Sequence, residues 1–226
     1  MMKRSMIIVA GGSGTRMGAE LPKQFIELNG KPILMHTLEA MQAFDAEMQL
    51  ILVLPESQMD FWESLCGKHN WAIPHLLANG GKTRFLSVQN GLELAEGELV
   101  GVHDGVRPFV SNVVMESCFQ AAENRGAAVP VVPIVQSLRK VNASENKAVN
   151  RDEFKAVQTP QCFQTSVLKS AFENADGVDF SDDASVVEGN GGQIQLVEGS
   201  SENIKITTPF DLELAQLIVS RRTVSN

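Results

Sequence analysis

The chain has 226 residues, of which 43% are hydrophobic and 20% charged, a balance that suits one α/β domain with a sizeable core. Its formal net charge of −8 argues against a nucleic-acid-binding protein, because such proteins usually present a basic face. No apolar run approaches the ~20 residues needed to cross a bilayer, and residues 1–5 do not resemble a signal peptide. We therefore expect a cytoplasmic protein with neither a membrane nor a nucleic-acid partner.

Strands and helices alternate through the first 130 residues. Continuous apolar runs predict strands at residues 6–9, 50–54, 73–77, 99–102 and 127–129. Apolar residues at helical spacing predict helices at residues 33–41, 61–65, 85–94 and 113–122. Pro130 and Pro133 are expected to close the last strand, and Gly126 to end the helix before it. This order predicts a doubly wound, mostly parallel sheet with helices on both faces.

The alternation is interrupted at residues 135–157, where a short two-fold pattern flanks a polar turn. This pattern predicts a β-hairpin arm inserted into a single domain of residues 1–226. An arm that buries little of itself usually packs on something, and a second subunit is the simplest candidate. After the arm, helical patterns return near residues 167 and 183–187, a strand is expected at 194–197, and a last helix begins at Thr208-Pro209.

Three cysteines and four histidines offer little metal chemistry. Cys66, Cys118 and Cys162 are odd in number and widely spaced, which indicates thiols in a reducing cytoplasm. The histidines form no pair at zinc-binding spacing, so a structural zinc site is not expected.

A glycine-rich loop follows the first predicted strand. Gly11, Gly12 and Gly14 let backbone N–H groups converge on a polyanion, because no Cβ blocks its approach. The loop lacks the sixth-position glycine of a dinucleotide fingerprint, and Gly81-Lys82-Thr83 lacks the first glycine of a P-loop. Instead, Arg16 and Lys23 place two cations beside the loop, which suits stabilisation of a transferring phosphoryl group.

Ordered motifs carry a family resemblance. Residues 10–17 followed by Pro22-Lys23-Gln24 resemble the sugar-nucleotidyltransferase superfamily. Further motifs appear at residues 102–108, 158–163, 182–185 and 203–207. Their order is similar to that of the 2-C-methyl-D-erythritol 4-phosphate cytidylyltransferase family, with likeness from about residue 7 to residue 217. The resemblance implies a Rossmann-like nucleotidyltransferase fold, a Mg²⁺ cofactor, and CTP and methylerythritol phosphate as substrates.

In the implied reaction, a phosphate monoester oxygen attacks the α-phosphorus of CTP and pyrophosphate leaves. The second pKa of a phosphate monoester is ~6, so the nucleophile is ionised at neutral pH and no general base is needed. Arg16 and Lys23 would then stabilise the pentavalent transition state. The residues to which the resemblance assigns catalysis are Arg16, Lys23, Arg151 and Lys205.

The resemblance also assigns the binding residues. Nucleotide binding falls to Ala10, Gly11, Gly12, Ser13, Gly14, Gly80, Gly81 and Ser87. Substrate binding falls to Asp104, Arg107, Ser137, Arg151 and Lys205, and Asp104 also helps to hold Mg²⁺. Because Ser137 and Arg151 lie on the arm, the resemblance suggests a homodimer in which they reach the neighbouring subunit's site. Lys82 departs from the acidic residue usual at its position, and His103 is expected to be packed rather than catalytic.

Other functions share parts of these patterns. A ribitol-5-phosphate cytidylyltransferase shares several motifs, and a sugar-1-phosphate nucleotidyltransferase shares the fold. The arm and Asp182-Asp183-Ala184-Ser185 favour the 2-C-methyl-D-erythritol 4-phosphate cytidylyltransferase family over both. A nucleotide-binding module without turnover would not need the cations, and the failed fingerprint argues against an NAD-dependent oxidoreductase.

Overall fold

A computed structural model describes residues 2–12 and 21–224 of the chain. The strands are β1 Arg4–Val9, β2 Glu27–Leu28, β3 Lys31–Pro32, β4 Gln49–Leu54, β5 Leu76–Asn79, β6 Leu99–Asp104, β7 Ala127–Pro133, β8 Leu138–Val141, β9 Asn146–Val149, β10 Lys155–Val157, β11 Gln161–Gln164 and β12 Gln195–Glu198. The α-helices are α1 Ile33–Phe44, α2 Met59–Lys68, α3 Arg84–Glu93, α4 Asn112–Arg125, α5 Thr165–Glu173, α6 Asp183–Gly189 and α7 Pro209–Val224. Short 3-10 helices span Lys23–Phe25, Glu56–Gln58 and Arg151–Glu153.

Eight of these strands form the central sheet, in the order β10-β7-β11-β6-β1-β4-β5 with β12 also paired to β7. Strands β5, β4, β1 and β6 pair in parallel, as do β7 and β12. Within the described part of this sheet, β10 and β11 are the strands that pair antiparallel with their neighbours. The expected α/β class, a mostly parallel sheet with an inserted hairpin, is therefore confirmed. The carboxyl ends of β5, β4, β1 and β6 lie side by side, where ligands bind in open α/β sheets.

Strand β1 shows why the sheet is covered on both faces. Its residues are buried almost throughout, and consecutive side chains enter different cores. Met6 and Ile8 pack in one apolar cluster with residues of α1, α2 and α4, whereas Ile7 packs in another with residues of α3, α5 and α6. The continuous apolar run of this strand thus follows from helices on both sides. Among the described residues, no helix is both long and apolar enough to span a membrane.

Strand β7 runs on through Pro130, which does not end it, whereas Pro133 is its last residue as expected. A proline lacks the N–H donor but keeps its carbonyl acceptor, and Gln158 N donates to Pro130 O at 2.8 Å. Pro133 pairs with Lys155 of β10. The neighbouring strands therefore extend β7 past Pro130 as far as Pro133.

Strand β5 begins at Leu76 rather than at residue 73 as predicted. His75 explains the late start, because its side chain is used locally. Its Nδ1 lies 2.8 Å from Ile73 O, and its Nε2 accepts a hydrogen bond from Trp62 Nε1 at 3.0 Å. These contacts tie residues 73–75 to α2 instead of to the sheet.

The predicted arm contains the hairpin β8–β9, with Leu138 opposite Val149. The side chain of Asn142 closes its turn by accepting hydrogen bonds from Ser144 N at 3.0 Å and Glu145 N at 2.7 Å. Residues 155–157 were predicted as part of the arm but belong to the central sheet as β10. The segment that leaves the sheet is therefore residues 134–154.

Candidate active site

A cavity of about 310 Å³ opens at the carboxyl edge of the sheet, above the ends of β1, β4, β5 and β6. Its walls come from the segments that follow these four strands. Lys23 and Lys205 add positive charge from further along the chain. The residues that line it are Val9, Ala10, Gly11, Gly12, Lys23, Gln24, Pro55, Gly80, Gly81, Lys82, Thr83, Arg84, Ser87, Asp104, Val106 and Lys205.

The glycine loop supplies the first wall. Ala10 begins it, and its N–H donates to Val53 O at 3.0 Å, which extends the pairing of β1 and β4. A Cβ on Gly12 would lie 3.3 Å from Lys23 Cε and 3.6 Å from Lys23 Nζ. The Lys23 side chain therefore lies beside Gly12, where an added Cβ would meet its end at close range. Of the other residues assigned to this loop, Ser13, Gly14 and Arg16 lie outside the described residues.

The loop after β5 supplies the opposite wall. Gly81 N donates to Ser87 Oγ at 3.0 Å, and Ser87 Oγ donates to Thr83 O at 2.8 Å. Thr83 caps α3 by accepting the N–H of Leu86 at 3.2 Å. A Cβ on Gly81 would lie 2.3 Å from Leu86 Cβ, so the backbone turns here in a way that excludes any side chain. The predicted group Gly80, Gly81 and Ser87 is thus brought together by one hydrogen-bonded turn.

A cluster of charges forms the floor. Asp104, the last residue of β6, accepts contacts at Oδ2 from Lys205 Nζ and Arg107 Nε, each at 3.0 Å. Burial opposes ionisation of this carboxyl, but Lys205, Arg107 and Arg84 together outweigh burial and hold the pKa of Asp104 well below its usual range. Asp104 is therefore an anion at physiological pH, with Lys205 at the cavity side and 43% exposed.

His103 supports this floor from below. Its Nε2 lies 3.0 Å from Arg107 O and must donate, so its Nδ1 accepts a bond from Thr159 Oγ1 at 3.0 Å. Thr159 Oγ1 in turn accepts the N–H of Asp104 at 3.1 Å. Burial lowers the pKa of His103 to about 4, so the ring is neutral at physiological pH. Its full burial agrees with the prediction of a packed histidine.

The segment before α7 brings Lys205 to the cavity. Arg107 Nη1 donates to Asn203 O at 2.8 Å, and Asn203 Nδ2 donates to Thr159 O at 2.8 Å. Ile206 N donates to Val106 O at 3.0 Å on the other side of Lys205. Lys205 is held between these bonds although it lies about a hundred residues from Asp104 in sequence. Arg107, predicted to contact substrate, has two of its three nitrogens engaged in this framework.

The two arm residues lie elsewhere. Neither Ser137 nor Arg151 is among the residues that line the cavity, and both are exposed on the segment that leaves the sheet. Arg151 Nη1 donates a short hydrogen bond to Val135 O, which ties the two ends of the arm together. Within one chain, these residues are therefore not joined to the site at which Lys23, Asp104 and Lys205 meet.

An ion pair at the cavity wall was not predicted. Arg84, the first residue of α3, makes a two-pronged bond to Asp183 with Nη1–Oδ1 at 2.8 Å and Nη2–Oδ2 at 2.6 Å. Burial opposes the charge on Arg84, but Asp183 outweighs it and raises the pKa of the guanidinium. Asp182 caps α6 in a reciprocal box with Ser185, which holds Asp183 in place. The Asp-Asp-Ala-Ser motif thus serves the cavity through Arg84.

These features define a class of protein. An open α/β sheet with a glycine loop after β1, Lys23 beside that loop and Asp104 at the end of β6 matches the arrangement expected of a nucleotidyltransferase. A family model described as IspD, 2-C-methyl-D-erythritol 4-phosphate cytidylyltransferase, matches residues 5–221. The chain belongs to this family.

Individual relatives agree over nearly the whole chain. A 2-C-methyl-D-erythritol 4-phosphate cytidylyltransferase of Bacteroides thetaiotaomicron is 53% identical over 219 residues, covering 96% of this chain and 100% of the relative. The crystal structure of the Thermus thermophilus protein of the same name has a TM-score of 0.78 at 34% identity, covering 96% and 98% of the two chains. A 4-diphosphocytidyl-2C-methyl-D-erythritol synthase of Anaerococcus prevotii has a TM-score of 0.83 at 27% identity, covering 97% and 96%.

Proposed function

We propose that this chain joins CTP to 2-C-methyl-D-erythritol 4-phosphate, forming 4-diphosphocytidyl-2-C-methyl-D-erythritol and pyrophosphate for isoprenoid precursor synthesis. The observation that carries the proposal is the meeting of Lys23 and the Asp104–Lys205 pair around one cavity at the carboxyl edge of the sheet. Relatives over 50% identical bear the name of this enzyme.

The proposed mechanism aligns two anions and neutralises their charge. The attacking phosphate is ionised at neutral pH, since its second pKa is ~6, so no side chain has to remove a proton. His103 could not serve as a base in any case, because it is fully buried and both ring nitrogens are bonded. Lys23 over the glycine loop stabilises the negative charge that builds at the α-phosphate, together with Arg16 as the sequence motif indicates.

A magnesium ion fits this donor set through Asp104. The described residues contain no group of three or more His, Cys, Asp or Glu side chains that could enclose a metal. Magnesium is commonly held by one or two carboxylates together with the phosphates of its substrate, so a single ionised aspartate is sufficient. Both cations contact Oδ2 of Asp104, which leaves Oδ1 as the oxygen for the metal. The ion would shield charge on the triphosphate.

The arm completes the proposed site in a homodimer. Residues Ser137 and Arg151 are remote from their own cavity, whereas the exposed apolar side chains of the arm favour contact with another surface. Val135 and Val141 are each 70% exposed. We place Ser137 and Arg151 at the phosphate of methylerythritol phosphate in the neighbouring subunit's site. Cys118 and Cys162 are buried free thiols as expected, whereas Cys66 is only partly buried.

Release of pyrophosphate tests the proposed function. Purified protein is given Mg²⁺ and CTP with methylerythritol 4-phosphate, ribitol 5-phosphate or a sugar 1-phosphate in parallel. We expect release with methylerythritol 4-phosphate alone. Release with ribitol 5-phosphate alone would keep the chemistry but refute the assigned substrate, and binding of CTP without any release would refute turnover altogether.

Mixing two inactive variants tests the exchanged arm. Lys23→Ala disables a site through its own chain, and Arg151→Ala disables it through the arm. If the arm serves the neighbouring site, a mixed dimer has one doubly defective site and one intact site. Random mixing should then restore about a quarter of wild-type turnover, because about half of the dimers are mixed. Refolding the variants together should give this recovery, whereas an arm that serves its own site would give none.

A further inference from the structure

The residue that follows Lys23 is a buried amide at the cavity. Gln24 is 1% exposed, and its Nε2 donates to Ala10 O at 2.6 Å and to Gln58 Oε1 at 2.8 Å. Both partners are acceptors, so the nitrogen of the amide and not its oxygen must face them. The first of these bonds reaches the residue at which the glycine loop begins.

We infer that Gln24 is a positioning residue, which fixes the Lys23 ammonium group over the glycine loop by tying the helix that carries Lys23 to the main chain of that loop. The inference rests on the proposed function, since it concerns the group that meets the α-phosphate. The Lys23 side chain lies close beside Gly12, since its Cε is 3.3 Å from the position that a Cβ on Gly12 would occupy. A small shift of the helix against the loop would therefore move the ammonium group relative to the phosphate.

The helix that carries Lys23 is held at two successive residues. It spans only Lys23–Phe25, closed by the bonds Phe25 N to Pro22 O at 2.9 Å and Ile26 N to Lys23 O at 3.2 Å. Phe25 is buried against two aromatic rings of α2, with its centroid 5.2 Å from that of Phe61 and 6.4 Å from that of Trp62. The Phe25 contacts anchor the helix to α2, and the Gln24 bond anchors it to the loop.

The second bond of Gln24 orients its amide. Gln58 ends a short helix whose first turn is closed by the bond from Gln58 N to Pro55 O at 2.9 Å. Pro55 itself lines the cavity. A series of hydrogen bonds therefore runs from Pro55 through Gln58 and Gln24 to Ala10. A buried amide is costly unless it is bonded, and an apolar side chain would pack here without that cost. The amide is thus suited to holding the loop rather than to filling the core.

Substitution of Gln24 by methionine tests the inference. Methionine has a similar length and shape but cannot donate to Ala10 O. We expect Gln24→Met to lower kcat by between about 10-fold and 100-fold, while the KM for CTP changes by less than about threefold. The kcat is expressed per folded enzyme, so a purely structural role would lower the melting temperature and the folded fraction but leave this kcat unchanged.

Two neighbouring variants and one distant variant serve as controls. Gln58→Glu keeps an acceptor oxygen for Gln24 and should keep kcat within about threefold, whereas Gln58→Met should give a loss smaller than that of Gln24→Met. Ser5→Ala removes a buried polar group at the other end of β1, where Ser5 Oγ donates to Gln49 Oε1 at 2.6 Å. It should lower stability and leave kcat unchanged. Equal losses of kcat in all four variants would overturn the inference.

A double-mutant cycle with Lys23 gives the sharpest test. If Gln24 acts through Lys23, Gln24→Met should lower the reaction rate by less than about threefold in a Lys23→Ala background. This rate is measured with labelled CTP and excess enzyme. The same loss in both backgrounds would overturn the inference.

A crystal structure of Gln24→Met provides a result that does not depend on turnover, because Lys23 Nζ should leave its place over Gly12. An unmoved Lys23 overturns the inference, whereas an inactive wild type with a displaced Lys23 in the variant overturns only the proposed function.

Discussion

Replacement of Lys23 by alanine should lower turnover by at least about a thousandfold while leaving the protein folded. The Lys23 ammonium group lies beside Gly12 in the cavity, where the proposed function places the triphosphate. A cation at that position stabilises charge that exists only in the transition state, and loss of such groups costs ~10³ or more in rate. Pyrophosphate release measures the rate, and circular dichroism checks the fold.

Lys68→Ala is the matched control for this variant. Lys68 is a mostly exposed lysine in a weak pair with Glu27 at 3.4 Å, on α2 and outside the cavity. Its removal should leave turnover within about twofold of wild type, since exposed pairs contribute little. A folded Lys23→Ala protein that retains more than about a tenth of wild-type turnover would refute the assigned role of Lys23.

Replacement of Asp104 by asparagine should affect both activity and stability. The variant keeps the shape of the side chain but removes the charge that Lys205 Nζ and Arg107 Nε contact at 3.0 Å. We expect turnover to fall about 100-fold or more, because Lys205 loses its anchor and the proposed magnesium site loses its carboxylate. Breaking a buried ion pair costs ~3–5 kcal/mol of unfolding free energy, and we expect the lower value since Lys205 is 43% exposed.

Urea unfolding and the assay together separate the two effects. Glu116→Gln is the control, because it removes the partner of Arg4 at the opposite edge of the sheet, where Arg4 Nη1 lies 3.0 Å from Glu116 Oε2. That variant should lose stability but keep its turnover. If Asp104→Asn matches Glu116→Gln in both measurements, Asp104 has only a structural role.

The pH dependence follows from the lowered pKa of Asp104. Its folded pKa lies below the unfolded value of ~3.9, so its ion pairs add stability at all pH values above ~3.9 and lose it as the pH falls further. The difference in unfolding free energy between wild type and Asp104→Asn should therefore be constant from about pH 5 to 8 and shrink below about pH 4. The rate should instead rise around pH ~6, with ionisation of the attacking phosphate. A rate profile that follows a group near pH 4 alone would contradict this mechanism.

Local patterns were sufficient to predict most of the sheet. The continuous apolar runs of β1, β4 and β6 identify strands buried on both faces, and their order with the helices gives the fold class. The glycine loop follows from β1 because glycines directly after a parallel strand leave the backbone open to a phosphate. The boundaries of β5 and β7 were not predictable in the same way, since His75 and the partners of Pro130 act across the fold.

The candidate site was likewise predictable only where local sequence patterns determine it. Lys23 is visible in the sequence as a cation shortly after the glycine loop, and Asp104 as a carboxylate at the end of a predicted strand. The Arg84–Asp183 pair joins residues 99 positions apart, and no local pattern indicates which arginine meets which aspartate. Gln24 was missed for a different reason, because a glutamine beside a lysine suggests a surface position until its burial is known. Contacts between distant elements therefore determine the parts of the site that sequence patterns leave open.

The arm leaves and rejoins the sheet at a single place, because Pro133 of β7 pairs directly with Lys155 of β10. Its 21 intervening residues, 134–154, can therefore vary in length and composition at little entropic cost to the rest of the protein. The arm is in this sense a separable module, joined to the central sheet at one point of its edge. If it contacts the acceptor substrate as proposed, its residues can change while the hydrogen-bonded turn of Gly81 and Ser87 at the nucleotide side stays the same.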